Sequence, residues 1–324
     1  MDIAGHYRQS RAQTAPAAGI AHACARHHPL QVEAQERITV ICITYNSAGM
    51  VPQLRDALAG YRHVVIVDNG SRDDTAARLQ RSLPHARVIA RQRNAGFGRA
   101  NNEAMSLVTT DYALLLNPDC SITPHHVQRL VDCMDTHGDA GIVAPQGWRS
   151  DRDPQKSCRP AFFRPQPAGR YRVPTDVIQA DWLHGSCQLV RTRAFRSIGG
   201  FDPVFFLYYE DDDLCLRMQR GGWRCLLQPA AHALHPGGGS SAPSARTTFL
   251  KQFHYARSRQ IALRRYVGNR AALAHRSKLL VAAVPVSVFH GLLLQRQHAS
   301  KWMGWGLAAL CAALGLDALA ERIR

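Results

Sequence analysis

The segment Ala113-Leu-Leu-Leu-Asn-Pro-Asp-Cys120 decides the fold class, because a short apolar run stops abruptly at Asn117, Pro118 and Asp119. A run of this length reads as a buried strand, and Pro118 ends it, since proline neither donates to a sheet ladder nor continues a helix. Asp119 is thereby delivered to the carboxyl end of a strand. In an open α/β sheet, ligands bind in the crevice outside those ends, so a carboxylate placed there suits a metal ion or a charged ligand.

Strands alternate with helices on the amino-terminal side of this segment. Arg37-Ile-Thr-Val-Ile-Cys-Ile-Thr-Tyr-Asn46 is a β-branched strand ending in polar residues, and Met50 to Leu58 has helical spacing. His63-Val-Val-Ile-Val-Asp-Asn-Gly-Ser71 is a second strand with the same kind of ending; Arg72 to Gln80 starts a helix with Ser71 or Asp73 as its N-cap. Ala86 to Ala90 is the third strand, followed by a loop from Arg91 to Gly98, a helix from Arg99 to Leu107 and the fourth strand, Tyr112 to Leu116. This alternation implies right-handed crossovers and an α/β domain with a mostly parallel sheet flanked by helices.

On the other side, a helix from Pro124 to Met134 leads to the strand Ala140 to Ala144. Residues 148–176 are dense in Arg and Pro and read as an irregular loop. Asp181 to Val190 resumes strand character, and Ala194 to Ile198 is a short helix stopped by Gly199 and Gly200. The stretch Phe201-Asp-Pro-Val-Phe-Phe-Leu-Tyr-Tyr-Glu-Asp-Asp-Asp-Leu-Cys-Leu-Arg217 then places four acids, Glu210 to Asp213, at a helix start. The helix dipole favours acids there. The aromatic approach before them would also desolvate the cluster, so raised and coupled pKa values are expected.

Composition bounds the partners. The 324 residues can bury a full core, and hydrophobic content is 46%. Forty Lys and Arg against 24 Asp and Glu give a formal charge of +16, and the pI is near 10.0, which favours anionic partners. Nine cysteines form no C-x-x-C pair, and Cys42, Cys120, Cys187 and Cys215 lie in or beside apolar segments, the pattern of reduced thiols. Residues 1–36 are rich in Ala, Gln, Arg and His without an apolar core segment, so they read as a disordered basic extension and not a secretory signal.

After a short strand past Trp223, the run Pro236-Gly-Gly-Gly239 reads as a mobile loop, and Arg246 to Arg270 is a basic helical region. Leu279 to Leu294 is apolar but contains Pro285 and His290, and Trp302 to Ala320 is apolar and interrupted by glycines. As helix the first run reaches only ~24 Å against a hydrocarbon core of ~30 Å, so lying on or dipping into a membrane surface is expected over a clean span. Two apolar helices with basic flanks make an anionic membrane surface the partner that best explains the charge. The arginines gather beside these helices and no recognition motif is visible, so no nucleic-acid partner is expected.

Six segments together resemble glycosyltransferase family 2 enzymes of the Rossmann-like GT-A fold, and within them the rhamnosyltransferase-like branch. They are Thr44-Tyr45-Asn46, Val67-Asp68-Asn69-Gly70-Ser71, Asn94-Ala-Gly96-Phe-Gly98 with Asn101-Asn102, Asn117-Pro118-Asp119, Gly199-Gly-Phe-Asp202 and Tyr209-Glu-Asp-Asp-Asp-Leu-Cys-Leu-Arg217. The resemblance runs from Ile38 to His235. It implies a catalytic domain over 37–245, with a nucleotide-sugar half at 37–120 and an acceptor half at 121–245, followed by the basic and apolar helices of 246–324.

The resemblance also assigns roles. Thr44, Tyr45 and Asn46 would line the nucleotide, and Asp68 would accept the imide N–H of a pyrimidine, a hydrogen bond that an acceptor-only carboxylate can make. Its plain structural reading is an Asx-turn residue. Asn69, Gly70, Asn94, Gly96, Gly98 and Asn101 would belong to turns and a loop that close on ribose and diphosphate. Asp119 matches the last acid of the family's D-x-D motif, whose first acid is Asn117 here. With His235 it would hold a divalent cation, Mg²⁺ or Mn²⁺. Asp211 matches the general base of an inverting transfer, with Glu210 beside it; Trp182, His184, Gly185 and Asp213 would face the acceptor. Asp212 stands where the branch usually has an apolar residue. The implied activity is transfer of a sugar, dTDP-L-rhamnose or else a UDP-sugar as donor, to a polyprenyl-linked saccharide in bacterial surface polysaccharide synthesis. The enzyme would be cytoplasmic, peripheral on the inner membrane. A nucleotidyltransferase would want a glycine- and lysine-rich phosphate loop that is missing near the N-terminus. A non-catalytic sugar-nucleotide-binding or scaffold protein of the same fold is the remaining alternative.

Overall fold

The computed structural model describes residues 32–237, 244–316 and Ile323. Helix α1 (Val32–Glu36) leads into β1 (Ile38–Thr44), a strand buried along its whole length. A 3₁₀ turn at Ala48–Met50 and α2 (Val51–Leu58) follow, then β2 (His63–Asp68), α3 (Thr75–Ser82), β3 (Arg87–Ala90), α4 (Phe97–Met105) and β4 (Tyr112–Leu116). These four strands pair in parallel in the order β3-β2-β1-β4. Alternate residues of β1 serve opposite faces, as the period of two in a strand requires. Val40 and Cys42 cluster with Leu54 and Leu58 of α2, whereas Ile41 and Ile43 cluster with Ala100 and Ala104 of α4.

The second half adds β5 (Ser121–Ile122), α5 (Pro124–Thr136), β6 (Ala140–Ser150), β7 (Asp153–Pro154), β8 (Cys158–Arg159), β9 (Ile178–Gln179), β10 (Trp182–Leu183), β11 (Cys187–Arg191), α6 (Thr192–Ser197), α7 (Glu210–Arg220) and β12 (Arg224–Leu234). Strand β11 joins the first half by pairing antiparallel with β4, and the main sheet continues β11-β6-β12-β5. Strand β6 is antiparallel to β11 and parallel to β12. The sheet is therefore mixed: parallel among β1 to β4 and between β6 and β12, and antiparallel at its other pairings. Strands β8 and β10 form a separate two-stranded sheet.

Register is what positions the site. Thr44 lies opposite Asp68, and Cys42 opposite Leu116, so the carboxyl ends of β1, β2 and β4 come out side by side. The Asn117 N–H donates to Ser186 O at 2.9 Å, which brings the turn before β11 to the same edge. His235 follows β12, its N–H held by Trp148 O at 2.7 Å.

Three helices complete the chain: α8 (Ala245–Tyr266), α9 (Asn269–Leu292) and α10 (Arg296–Ala313), with α10 packed on both α8 and α9. Gly304 makes the α8–α10 approach possible, because a Cβ there would lie 2.6 Å from Phe249 O and 3.0 Å from Phe253 N.

Several expectations need correction. Val32–Glu36 is helical, with Ala34 buried in the core cluster that includes Ile38 and Leu58; residues 1–31 lie outside the described residues. Phe97–Met105 is helix, so part of the stretch expected to close as a loop is rigid. The cap of α3 is Asp74; neighbouring Asp73 accepts from Thr75 N and Ala48 N instead. Residues 148–176 contain β7, β8 and the end of β6. The glycine run falls mostly outside the described residues. Helix α9 starts ten residues before the apolar run and contains Pro285. At 24 residues it measures ~36 Å, long and apolar enough to cross a membrane by length and composition. Gly304 and Gly306 sit inside α10 without breaking it.

Gly304→Val should destabilise the protein by about 1–3 kcal/mol, since the clash is with backbone and not with a side chain that can turn away. Chemical denaturation of the full chain measures it; an unchanged midpoint would refute the close-approach account.

Candidate active site

The turns at the ends of β1, β2, β4 and β12 and the first turns of α7 and α8 enclose one cleft of about 830 Å³. Its floor carries Asp119, 8% exposed, with Oδ1 3.3 Å from Nε2 of His235. Pro118 fixes the turn that puts Asp119 there, and Cys120 N donates to Asn117 O within it. His235 Nδ1 lies within hydrogen-bonding distance of the Gln155 side-chain amide, which also reaches His184 Nε2 at 3.0 Å. Burial first, then the nearby His235, holds the His184 pKa down at about 4, so this ring is neutral.

The opposite wall is the start of α7. Tyr208 and Tyr209 both have left-handed backbone, with φ of 67° and 64°, a conformation that costs a non-glycine residue about 1–2 kcal/mol. Packing holds them there: the Tyr209 ring meets Phe162 at 5.2 Å and Tyr255 at 5.6 Å. This kink turns Glu210 and Asp211 into the cleft. Asp211 Oδ2 accepts from Trp182 Nε1 at 2.9 Å, and Oδ1 accepts the N–H of Asp212 at 3.0 Å. Burial raises the pKa of Asp211, while the Trp182 bond and the Arg159 charge oppose the rise. Burial and then Asp211 push Glu210 well above the usual carboxylate range, and its Oε2 is buried with no hydrogen-bond partner among the described residues. Asp212 is pushed up to about 7 by burial and by Asp211, against the pull of Arg159. The expected raised values are met at these three acids.

The other residues singled out in the sequence divide into two sets. Tyr45, Asn46, Asn69, Asn94, Gly96, Asn117, His184 and Gly185 line the cleft beside Asp119, His235, Glu210 and Asp211. Gly96 has a φ of 90°, and a Cβ there would sit 2.4 Å from Phe206 O, so only glycine allows this close crossing. Thr44, Asp68, Gly70, Gly98, Asn101, Trp182 and Asp213 do not line the cleft. Asp68 is 2% exposed; its carboxylate accepts from Thr44 Oγ1, Ser71 N and Ser71 Oγ, which makes it the organiser of the turn after β2. Gly70 faces the backbone of Arg93, Gly98 packs on Phe201, and the Asn101 side chain donates to Phe97 O inside α4.

Asp213 points away from the acceptor side for a geometric reason: two residues along a helix is about 200° around it. It is fully buried and accepts from Arg217 Nε at 2.7 Å, Arg265 at 2.6 Å and Tyr266 OH at 2.6 Å.

Helix α8 supplies cleft residues that the sequence reading left with the membrane-facing segment. Arg246, Thr247, Leu250, Lys251 and His254 line the cleft, as does Arg72 from the turn after β2. Their spacing of three and four is a helix face, and that periodicity was the available signal.

The residues fit a divalent cation in part. One carboxylate and one imidazole nitrogen 3.3 Å apart suit Mn²⁺ or Mg²⁺ as a partial ligand set. No group of three or more His, Cys, Asp or Glu that could hold an ion is found among the described residues. The remaining positions would fall to water and to ligand oxygens.

A mixed sheet flanked by helices, with an Asp–His pair and a carboxylate cluster facing one cleft at its strand ends, is the arrangement of the GT-A fold. Residues 39–199 match the model of Glycosyl transferase family 2, and the chain belongs to that family through this domain. It is 28% identical over 238 residues to the N-acetylglucosaminyl-diphospho-decaprenol L-rhamnosyltransferase of Mycobacterium tuberculosis, covering 61% of this chain and 75% of that one. Rhamnosyltransferase WbbL of Escherichia coli is 29% identical over 201 residues, 54% of this chain and 73% of its own. Among solved structures, the mannosyltransferase PcManGT from Pyrobaculum calidifontis, in complex with GDP-Man and Mn²⁺, superposes with a TM-score of 0.50 at 15% identity over 86% of both chains. GalNAc-T7 with UDP, GalNAc and Mn²⁺ gives 0.52 at 13% identity, over 69% of this chain and 50% of that one. At such identities these two matches speak for the fold.

Asp213→Ala should cost about 3 kcal/mol or more, because it strands buried arginine charge. Denaturation of the purified variant measures the loss; a variant as stable as wild type would show that the three contacts contribute nothing.

Proposed function

We propose that the protein is an inverting, metal-dependent hexosyltransferase that moves L-rhamnose from dTDP-L-rhamnose to a polyprenyl-diphosphate-linked saccharide in bacterial surface polysaccharide synthesis. UDP-sugars are the alternative donors. The observation that carries the reading is the pairing across one cleft of Asp119 and His235 with Asp211. The names of the mycobacterial and Escherichia coli relatives support the sugar, and the mycobacterial name supports the lipid-linked acceptor.

Tyr45, Asn46 and Arg72 surround the nucleoside end of the cleft. Asp119 and His235 would hold the cation, which when bound supplies positive charge to the leaving diphosphate. Arg246 and Lys251, both on the wall opposite the sheet edge, add charge for the same diphosphate without a metal. Asp211 takes the proton of the acceptor hydroxyl as its oxygen bonds to the anomeric carbon, and the bond to the diphosphate breaks on the opposite face, inverting the centre. Burial and then Asp211 raise the Glu210 pKa, which disfavours a second negative charge beside the incoming hydroxyl.

The apolar helices support a peripheral position on the cytoplasmic face of the inner membrane. Val281, Val284, Val288 and Leu292 form a stripe on α9 that is 77%, 69%, 56% and 79% exposed. Arg270 and Lys278 on α9, with Arg296 and Lys301 on α10, supply flanking positive charge suited to anionic lipid.

Three outcomes test this. Asp211→Asn keeps the shape but loses the proton acceptor, so transfer should fall by roughly 10² to 10⁴, with donor affinity by calorimetry nearly unchanged; near-wild-type turnover would move the base elsewhere. Asp119→Ala should cost on the order of 10²-fold or more in rate, and full activity in EDTA would remove the cation from the mechanism. Val281→Asp with Val288→Asp should release the full chain from anionic vesicles while leaving donor binding intact. Retained flotation of the double variant, or no flotation of wild type at low salt, would refute the peripheral anchor.

A further inference from the structure

We propose that Trp182 is a positioning residue for Asp211, held in place by Arg159 and Asp212. The inference rests on Asp211 being the proton acceptor. An indole N–H can only donate, so its 2.9 Å bond makes Asp211 Oδ2 an obligate acceptor and fixes the plane of the carboxylate. The Asp212 N–H does the same at Oδ1, at 3.0 Å.

The indole is itself locked. Trp182 and Arg159 are directly opposite one another in the two-stranded sheet of β8 and β10. The Arg159 guanidinium lies 4.2 Å over the Trp182 ring, a cation–π contact in a half-buried wall. One Arg159 nitrogen donates to both oxygens of Asp212, at 2.8 Å each, with the two side chains 18% and 7% exposed. The contacts close a ring: Asp211 to Trp182, Trp182 to Arg159, Arg159 to Asp212, and Asp212 back to Asp211 through one peptide. This gives Asp212 a role that an apolar residue could not fill. Gly185 leaves the open side, since a Cβ there would come within 3.4 Å of Asp211 Oδ2.

Charge follows the same geometry. The titratable groups around Asp211 are Glu210 and Asp212 on its own helix, both with raised pKa values, and Arg159 from β8, with the buried Cys215 thiol one turn along and neutral His184 in the loop after β10. The Trp182 bond and the Arg159 charge both favour the carboxylate. Removing either raises the pKa of Asp211, so more of the base is protonated at a given pH and the acid limb of the kcat profile moves to higher pH.

The test uses the full chain with W182F, which keeps an aromatic ring under Arg159 and removes the N–H, and R159M, which removes the charge. Transfer rates across pH, donor and acceptor KM, donor affinity by calorimetry and thermal unfolding are measured on both. The expected result for W182F is a kcat about 10- to 100-fold lower, an acid limb raised by roughly one pH unit, and donor affinity unchanged. R159M moves the limb in the same direction. A wild-type limb and kcat in W182F would overturn the proposal. So would a loss confined to acceptor KM with the limb unmoved, because Trp182 would then be acceptor floor alone. If W182F does not fold, R159M decides by the same two readouts. D211N separates this inference from the reading beneath it: near-wild-type transfer by D211N refutes the base assignment, whereas an unmoved limb in W182F with an inactive D211N refutes only the role of Trp182.

Discussion

Helix α7 must offer Asp211 to the cleft and Asp213 to the helical layer behind it, and the step of about 100° per residue allows both from a single turn. The buried Asp213 carboxylate gathers Arg217 from its own helix and Arg265 and Tyr266 from the end of α8, and Arg265 reaches on to Asp202 at 2.7 Å. A carboxylate taken from water needs such a full set of donors to be tolerated. Without it, α8 would have no fixed angle to the catalytic wall. Two further bonds support the same angle, Ser258 Oγ to Leu207 O at 2.9 Å and Arg257 to Val204 O at 3.2 Å.

The amino-terminal half was legible because its signals are local. Strand β1 is a β-branched run ended by polar residues, and Pro118 marks the end of β4. From those endings it follows that Tyr45, Asn46, Asn69, Asn117 and Asp119 share one edge, and the structure brings them there. Asp68 shows the limit of the same logic. A carboxylate at a strand end can face a ligand, fold back on its own turn or do both, and Thr44 and Ser71 are known as its partners only once β1 and β2 are in register.

The second half was less legible because its determinants are long-range. Two-residue strands such as β8 and β10 carry no periodicity, and their pairing joins residues about twenty positions apart through an arginine- and proline-rich stretch. Asp212 looked unexplained for the same reason: its partner Arg159 is 53 residues away. The face of α8 that enters the cleft has helical spacing, but its basic residues were equally consistent with a lipid-facing helix, and sequence spacing cannot say which side a helix turns inward. The Tyr208–Tyr209 kink is a backbone property that side-chain identity does not announce.

Because α8 forms a wall of the cleft at its start and is pinned to Asp213 at its end, it behaves as a beam held along its length and not as a hinged flap. Swinging it outward would break two charge-assisted bonds to one buried carboxylate, from Arg265 and Tyr266, and separate Gly304 from the α8 backbone. At about 1.5 kcal/mol or more for each of these bonds to a charged group, the outward conformer would make up less than about one per cent of molecules. The width of the cleft along this wall is thus decided when the chain folds, and each catalytic cycle inherits it unchanged.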